Sequence, residues 1–141
     1  MIDIDTCIGF IANKAGKKLG DAFNERLMPF GITRIQWIAM YYLLNNKNLI
    51  QRLLGDKMDI KESTVVRLID RMEKDDLVER TKDSSDRRVT YLNLTEKGKN
   101  KIEELIIEGE KMSDTFSKGI SEDEIKVYND VVKKMLENIS L

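Results

Sequence analysis

The chain has 141 residues, 41% of them apolar and 35% charged, with a formal net charge of −1. That length suits one domain of ~100–200 residues, or one with an extension, and buries a core without staples. With no His and a single Cys, His/Cys zinc sites, Ser-His-Asp or Cys-His catalysis and an intramolecular disulfide are excluded.

The one Pro predicts long helices. Ile8, Ile11, Ala15, Leu19, Ala22 and Phe23 recur at spacings of three and four, which predicts a first helix over residues 5–27. Pro29 and Gly31 break it. Thr33 and Gln36 have the capping-box spacing and open a second helix. Its Trp37, Ile38, Met40, Tyr41, Leu43 and Leu44 make it apolar nearly all round, so it is expected to be central. A short third helix fits residues 50–58, with Ile50, Leu53, Leu54 and Met58 inward, and Asp59-Ile60-Lys61 makes a tight connection.

The fourth helix spans residues 62–75. Val65, Val66, Leu68, Ile69 and Met72 share one arc. Ser63, Arg67 and Lys74 lie opposite, flanked by Thr64 and Arg71. The period then changes to that of strands over residues 77–82 and 89–94, joined by Asp83-Ser84-Ser85-Asp86-Arg87-Arg88, a tip with no apolar residue. Thr95 caps a fifth helix running to residue 118, whose apolar set is Ile102, Leu105, Ile106, Met112 and Phe116. Gly119 suits its C-terminal end. Ser121 and Glu124 form another capping box, opening a sixth helix with Ile125, Tyr128, Val131, Val132, Met135, Leu136 and Ile139.

The fold class is therefore mainly α with a small β-hairpin wing: a winged helix-turn-helix with flanking N- and C-terminal helices. A helix fits the major groove of B-DNA and presents only its outward face there. On that face Ser63 and Thr64 can reach phosphates or bases, and Arg67 and Arg71 can donate bidentately to guanine or clamp phosphates. The hairpin tip is narrow enough for a minor groove, where Arg is favoured. Net charge lends this no support, since residues 61–94 carry 8 basic and 8 acidic groups.

The stretch Ser63-Thr64-Val65-Val66-Arg67-Leu68-Ile69-Asp70-Arg71-Met72-Glu73-Lys74, then Leu77-Val78-Glu79-Arg80, Asp86-Arg87-Arg88 and Leu94-Thr95-Glu96-Lys97-Gly98, resembles the MarR family of winged-helix transcriptional regulators. Order and spacing match from Thr33 to Gly98; the flanking helices match in kind only. The resemblance implies a DNA-binding regulator, expected to be a repressor. It implies a homodimer on palindromic operators of double-stranded DNA, released in many members by a small molecule or an oxidant. Carried over by position, Ser63, Thr64, Arg67 and Arg71 belong to the recognition helix, Arg88 enters the minor groove and Asp86 holds Arg88. Lys74, Ser84 and Arg87 complete the candidate DNA-binding set. Residues 1–32 and 95–141 are expected to dimerise and residues 33–94 to read DNA.

Three positions depart from the family pattern. Lys61 replaces the usual Ser or Thr before the recognition helix, leaving Asp59 or water to cap it. Asp76 replaces a Gly ahead of the wing and should adopt a left-handed conformation. Gly55 replaces an Ala and should loosen the third helix by up to ~1 kcal/mol.

Other readings stand beside these. Arg67 and Arg71 also fit a solvated face paired with Asp70 or Asp75, and Arg87 and Arg88 fit charges that block edge-to-edge aggregation. Cys7 fits inert packing better than an oxidant sensor, because no Lys or Arg lies within one turn to promote a thiolate. Trp37, Met40, Tyr41 and Tyr42 fit core better than a ligand cleft. The Glu-rich last third fits solvated surface, and no metal or cofactor is expected. An enzyme would need chemistry without His, and no convergent set shows. A winged-helix interaction module that has lost DNA binding would show acidic or apolar residues in place of Arg67, Arg71 and Arg88. With no basic, signal-like N-terminus and no run of about 18 apolar residues, the chain is expected to be cytoplasmic.

Overall fold

A computed structural model describes residues 1–140. A 3-10 turn, Ile4–Thr6, precedes α1 (Ile8–Leu27), and a second, Met28–Phe30, follows it. Next come α2 (Arg34–Asn45), α3 (Gln51–Met58), α4 (Glu62–Lys74), β1 (Val78–Lys82), β2 (Thr90–Leu94), α5 (Glu96–Ser117) and α6 (Glu122–Ile139). The fold is mainly helical with a two-stranded hairpin, as the sequence predicts. The chain forms two compact units, Met1–Glu108 and Gly109–Leu141, and α5 runs from one into the other. Among the described residues no helix is long and apolar enough to cross a membrane.

Local signals set the boundaries. Gln36 N–H donates to Thr33 Oγ1 at 3.1 Å while Thr33 N–H donates to Gln36 Oε1 at 3.0 Å, closing the first capping box. Ser121 and Glu124 close the second. Gly98 N–H donates to Thr95 Oγ1 at 3.0 Å and starts α5. In the first unit the core gathers Met40 and Leu43 of α2, Leu54 of α3, Val65, Ile69 and Met72 of α4, Leu92 of β2, and Ile102 and Leu105 of α5. The hairpin is antiparallel, pairing Val78 with Leu94 through Lys82 with Thr90. Leu49 adds a bridge to Leu92, whose N–H donates to the Leu49 carbonyl at 2.7 Å. No strand pattern marks this single residue.

Several expectations are corrected. Residues 5–27 are not one helix, because Cys7 is extended and forms the N-cap of α1. Ile8, Ile11 and Leu19 are exposed, and only Phe23 and Leu27 of α1 are buried. Leu53 faces outward while Gly55 is buried. A Cβ at Gly55 would meet the Ile60 carbonyl oxygen at 2.9 Å and Val65 Cγ2 at 3.2 Å. Gly55 thus lets α3 approach α4 closely, and an Ala there would crowd the turn. Asp59 does not cap α4; it sits at φ 55° as the C-cap of α3. The N-cap Lys61 makes no side-chain bond to the helix. Asp76 is left-handed, at φ 59°, as expected.

The wing and α5 meet at a tight joint. Thr95 Oγ1 donates to the Asp76 carbonyl at 2.6 Å, Thr95 N–H to the Leu77 carbonyl at 3.1 Å, and Lys97 Nζ to the Asp75 carbonyl at 3.0 Å. A Cβ at Gly98 would collide with the Leu77 carbonyl oxygen, which explains Gly in the Leu94-Thr95-x-x-Gly98 stretch. Gly98→Ala should therefore destabilise the protein by about 1–3 kcal/mol or more, as overpacking against backbone does. Lys61→Ser, which supplies the missing cap, should stabilise it by about 0.5–2 kcal/mol. Denaturant titration of both variants against the parent checks the opposite signs.

Candidate nucleic-acid interface

The apolar side of α4 fixes what its other sides show. With Val65, Ile69 and Met72 buried, Ser63, Arg67, Arg71 and Lys74 are exposed and Thr64 is half-buried. At about 100° per residue, Asp70 and Glu73 fall on the flank of Val66, whereas Thr64, Arg67 and Arg71 fall on the other. The helix has an acidic flank and a basic one.

The acidic flank faces Arg80. In β1, Val78 is buried and Arg80, two residues on, points to the same side, where alternation expects an apolar residue. Its guanidinium Nη1 lies 2.7 Å from Asp70 Oδ1 and 3.1 Å from Glu73 Oε1. Nε and Nη2 donate to Gln51 Oε1 at 3.2 and 3.0 Å, and Nη2 donates to the Val66 carbonyl at 3.3 Å. One side chain thus ties β1 to α3 and α4. Four acceptors around a planar fork of five N–H groups suit Arg and no other residue.

The basic flank differs. Among the described residues Arg67 and Arg71 have no ion pair, so the pairing with Asp70 weighed from sequence is not formed; Asp70 belongs to Arg80. Thr64, Arg67 and Arg71 line an open cleft of about 550 Å³, whose opposite wall is Asp21, Asn24 and Arg34.

The wing tip is built by side chains on backbone. Asp83 Oδ1 accepts Ser85 N–H at 2.7 Å and Asp83 N–H donates to the Val89 carbonyl at 2.9 Å. Val89 N–H donates to the Asp86 carbonyl at 3.0 Å, making Arg87 and Arg88 the central residues of a tight turn. Arg88 Nε and Nη2 donate to the two oxygens of Asp86 at 3.0 and 3.1 Å, while Arg88 N–H donates to Asp86 Oδ1 at 3.0 Å. The Arg88 side chain is nonetheless 90% exposed. Ser84 and Arg87 are exposed too. The Arg88 guanidinium holds the Asp86 carboxyl below the usual carboxylate range, and the Tyr91 hydroxyl, with Ser85 N–H, does the same for Asp83.

The structure brings the candidate residues into two groups, Ser63, Thr64, Arg67, Arg71 and Lys74 on α4 and Ser84, Asp86, Arg87 and Arg88 at the tip. Cys7 lies outside both. Met40 is fully buried, and the Trp37 indole N–H donates to the Leu105 carbonyl at 2.9 Å. Sequence reasoning missed the network of Arg80 and the place of Arg34 on the cleft wall. The signal for Arg80 was an Arg at an inward strand position with Asp70 and Glu73 three apart on the preceding helix. Arg34 gave none, because its position beside α4 depends on how α1 packs.

Residues 30–89 match the model of the MarR family. An uncharacterized HTH-type transcriptional regulator of Bacillus subtilis, YsmB, is 32% identical over 111 residues, 79% of this chain and 76% of that protein. The S. aureus MepR–DNA complex has a chain of the same fold, with TM-score 0.88, 22% identity and coverage of 94% of this chain and 98% of that one. So does CouR of Rhodococcus jostii RHA1 bound to p-coumaroyl-CoA, with TM-score 0.83, 24% identity and coverage of 96% and 95%.

Two outcomes are expected at this site. Arg80→Ala should destabilise the head by about 1–3 kcal/mol, because a half-buried network loses its only donor; thermal melting measures it. The Asp83 and Asp86 carboxyls should titrate below the usual carboxylate range in carbon-detected NMR, and Arg88→Ala should move Asp86 back up. Since both values are lowered by folding, their small contribution to stability is present above the unfolded carboxylate range and is lost as pH falls through the lowered values.

Proposed function

The chain belongs to the MarR family of winged helix-turn-helix transcriptional regulators, and from that membership we propose that it acts as a homodimeric repressor on a pseudo-palindromic DNA operator. The observation that carries the reading is the sorting of charge on α4. Arg80 takes up Asp70 and Glu73, which leaves Arg67 and Arg71 free on the outward basic flank. Residues 61–94, from the start of α4 to the end of the hairpin, are thus neutral in sum but basic where a major groove would meet them.

In this reading Ser63, Thr64, Arg67 and Arg71 contact base edges and phosphates, and Lys74 reaches a phosphate from the far end of α4. Arg88 enters the minor groove, held by Asp86, with Ser84 and Arg87 on the adjoining backbone. Residues 33–94 are the reading head, and residues 1–32 and 95–141 supply the dimer contacts. Ile2, Ile4, Ile8 and Ile11 in the first unit, and Val127, Tyr128, Val131, Leu136 and Ile139 in the second, are exposed apolar residues that a second copy would cover. Repression follows from occlusion, since a dimer across two major grooves blocks a promoter beneath it. A small molecule that favours another spacing of the two heads would release the DNA; CouR, of the same fold, is a structure with p-coumaroyl-CoA bound.

Selection of duplexes from a random pool tests this directly. The expected product has two half-sites about 10 bp apart, centre to centre. Arg67→Ala or Arg71→Ala should cost about 1–3 kcal/mol and relax preference at one position per half-site. Arg88→Ala should weaken all sites and lessen preference for an A·T-rich flank. Equal affinity of the parent for selected and random duplexes would defeat the proposal. Sedimentation should give a dimer at micromolar concentration, through an interface above ~2,000 Å².

A further inference from the structure

We infer that the cleft between α1, the start of α2 and the basic flank of α4 is a seat for a DNA backbone phosphate, with Arg34 as its anchor. This rests on the DNA-binding reading above and assigns a contact to the groove wall that the wing does not reach.

Three features converge on Arg34. It is the first residue of α2, where the helix dipole disfavours a cation, so its place there lacks a folding rationale. Its main-chain N–H is fixed by Asn24 Oδ1 at 2.8 Å. Its side chain lies across Gly20 of α1, where a Cβ would come within 3.1 Å of Nε, 3.5 Å of Cζ and 3.6 Å of Cδ. A mid-helix Gly weakens α1, yet here its bare backbone is what leaves room for the Arg34 stem.

The guanidinium arrives at the cleft unpaired. Among the described residues Arg34, like Arg67 and Arg71, has no ion pair. The cleft also holds the half-buried Thr64 and one carboxylate, Asp21. Three cations against one anion leave a positive concavity, which focuses potential on an incoming phosphodiester. A helix about 10–12 Å across fills a major groove about 12 Å wide, so a strand backbone runs along each flank. On the β1 flank the wing follows one backbone. On the other, Arg34 and Arg67 face the second, and a planar fork grips two phosphate oxygens at once.

The test compares the intact parent with Arg34→Ala and Arg34→Lys on a selected and a random duplex, by fluorescence anisotropy across a salt series. A backbone anchor predicts that Arg34→Ala weakens both duplexes alike, about tenfold, as losing one charge-assisted hydrogen bond would. The slope of log affinity against log salt should become shallower by about 0.9. Arg34→Lys should keep both the parent slope and the parent melting temperature, because its stem can still pack across Gly20 and its charge remains. If the parent binds but Arg34→Ala matches it in affinity and slope, this inference is overturned and the DNA reading stands. If Arg34→Ala melts earlier and Arg34→Lys restores neither melting nor slope, Arg34 is structural and the inference fails. If inorganic phosphate raises the melting temperature of the parent but not of Arg34→Ala, while DNA binding is equal, the cleft holds a free anion and the DNA assignment is overturned. If the parent binds no selected duplex, both readings fall together.

Discussion

The sorting of charge on α4 depends on where one guanidinium sits. Arg80 points inward from a strand and draws Asp70 and Glu73 to the same flank of α4. Without it, those carboxylates would stand free beside Arg67 and Arg71 and cancel their field. The pairs themselves contribute little through Coulomb energy, because Asp70 and Glu73 are largely solvated. The larger effect is geometric: the Gln51 and Val66 bonds fix the fork beside the acidic flank of α4, whose rotation the buried Val65, Ile69 and Met72 set. A helix held in rotation presents one fixed set of side chains outward.

The ends of α4 are held by different means. Its start lacks a side-chain cap and leans on the close approach of α3 at Gly55. Its end passes through left-handed Asp76 into the joint where Thr95 and Lys97 take up the carbonyls of Asp75, Asp76 and Leu77. Gly98 lets α5 press onto that joint. A displacement of α5 would therefore be felt at the C-terminal end of α4 and at the root of the wing.

The tip solves another problem. A loop with no apolar residue has no core to order it, so its order comes from Asp side chains bonded to backbone N–H groups, Asp83 with Ser85 and Asp86 with Arg88. The same Asp86 aims the Arg88 guanidinium, so local turn chemistry and the projection of a cation are one device.

How much of this was legible in the sequence follows the range of the interactions. The capping boxes at Thr33 and Ser121, the apolar arc of α4 and the hairpin with its polar tip are set by residues within a few positions of one another, and they could be read directly, whereas the left-handed Asp76 followed from the family resemblance. So could the candidate residues of the basic face, because helical period alone puts Arg67 and Arg71 away from Val65 and Ile69. Tertiary structure decided the rest. Whether Asp70 pairs with a neighbour on its own helix or with Arg80, whether Gly55 weakens a helix or admits a carbonyl, and that Arg34 stands beside Arg67 all depend on segments far apart in the chain. Periodicity says which side of an element is apolar; only packing says what the other sides meet.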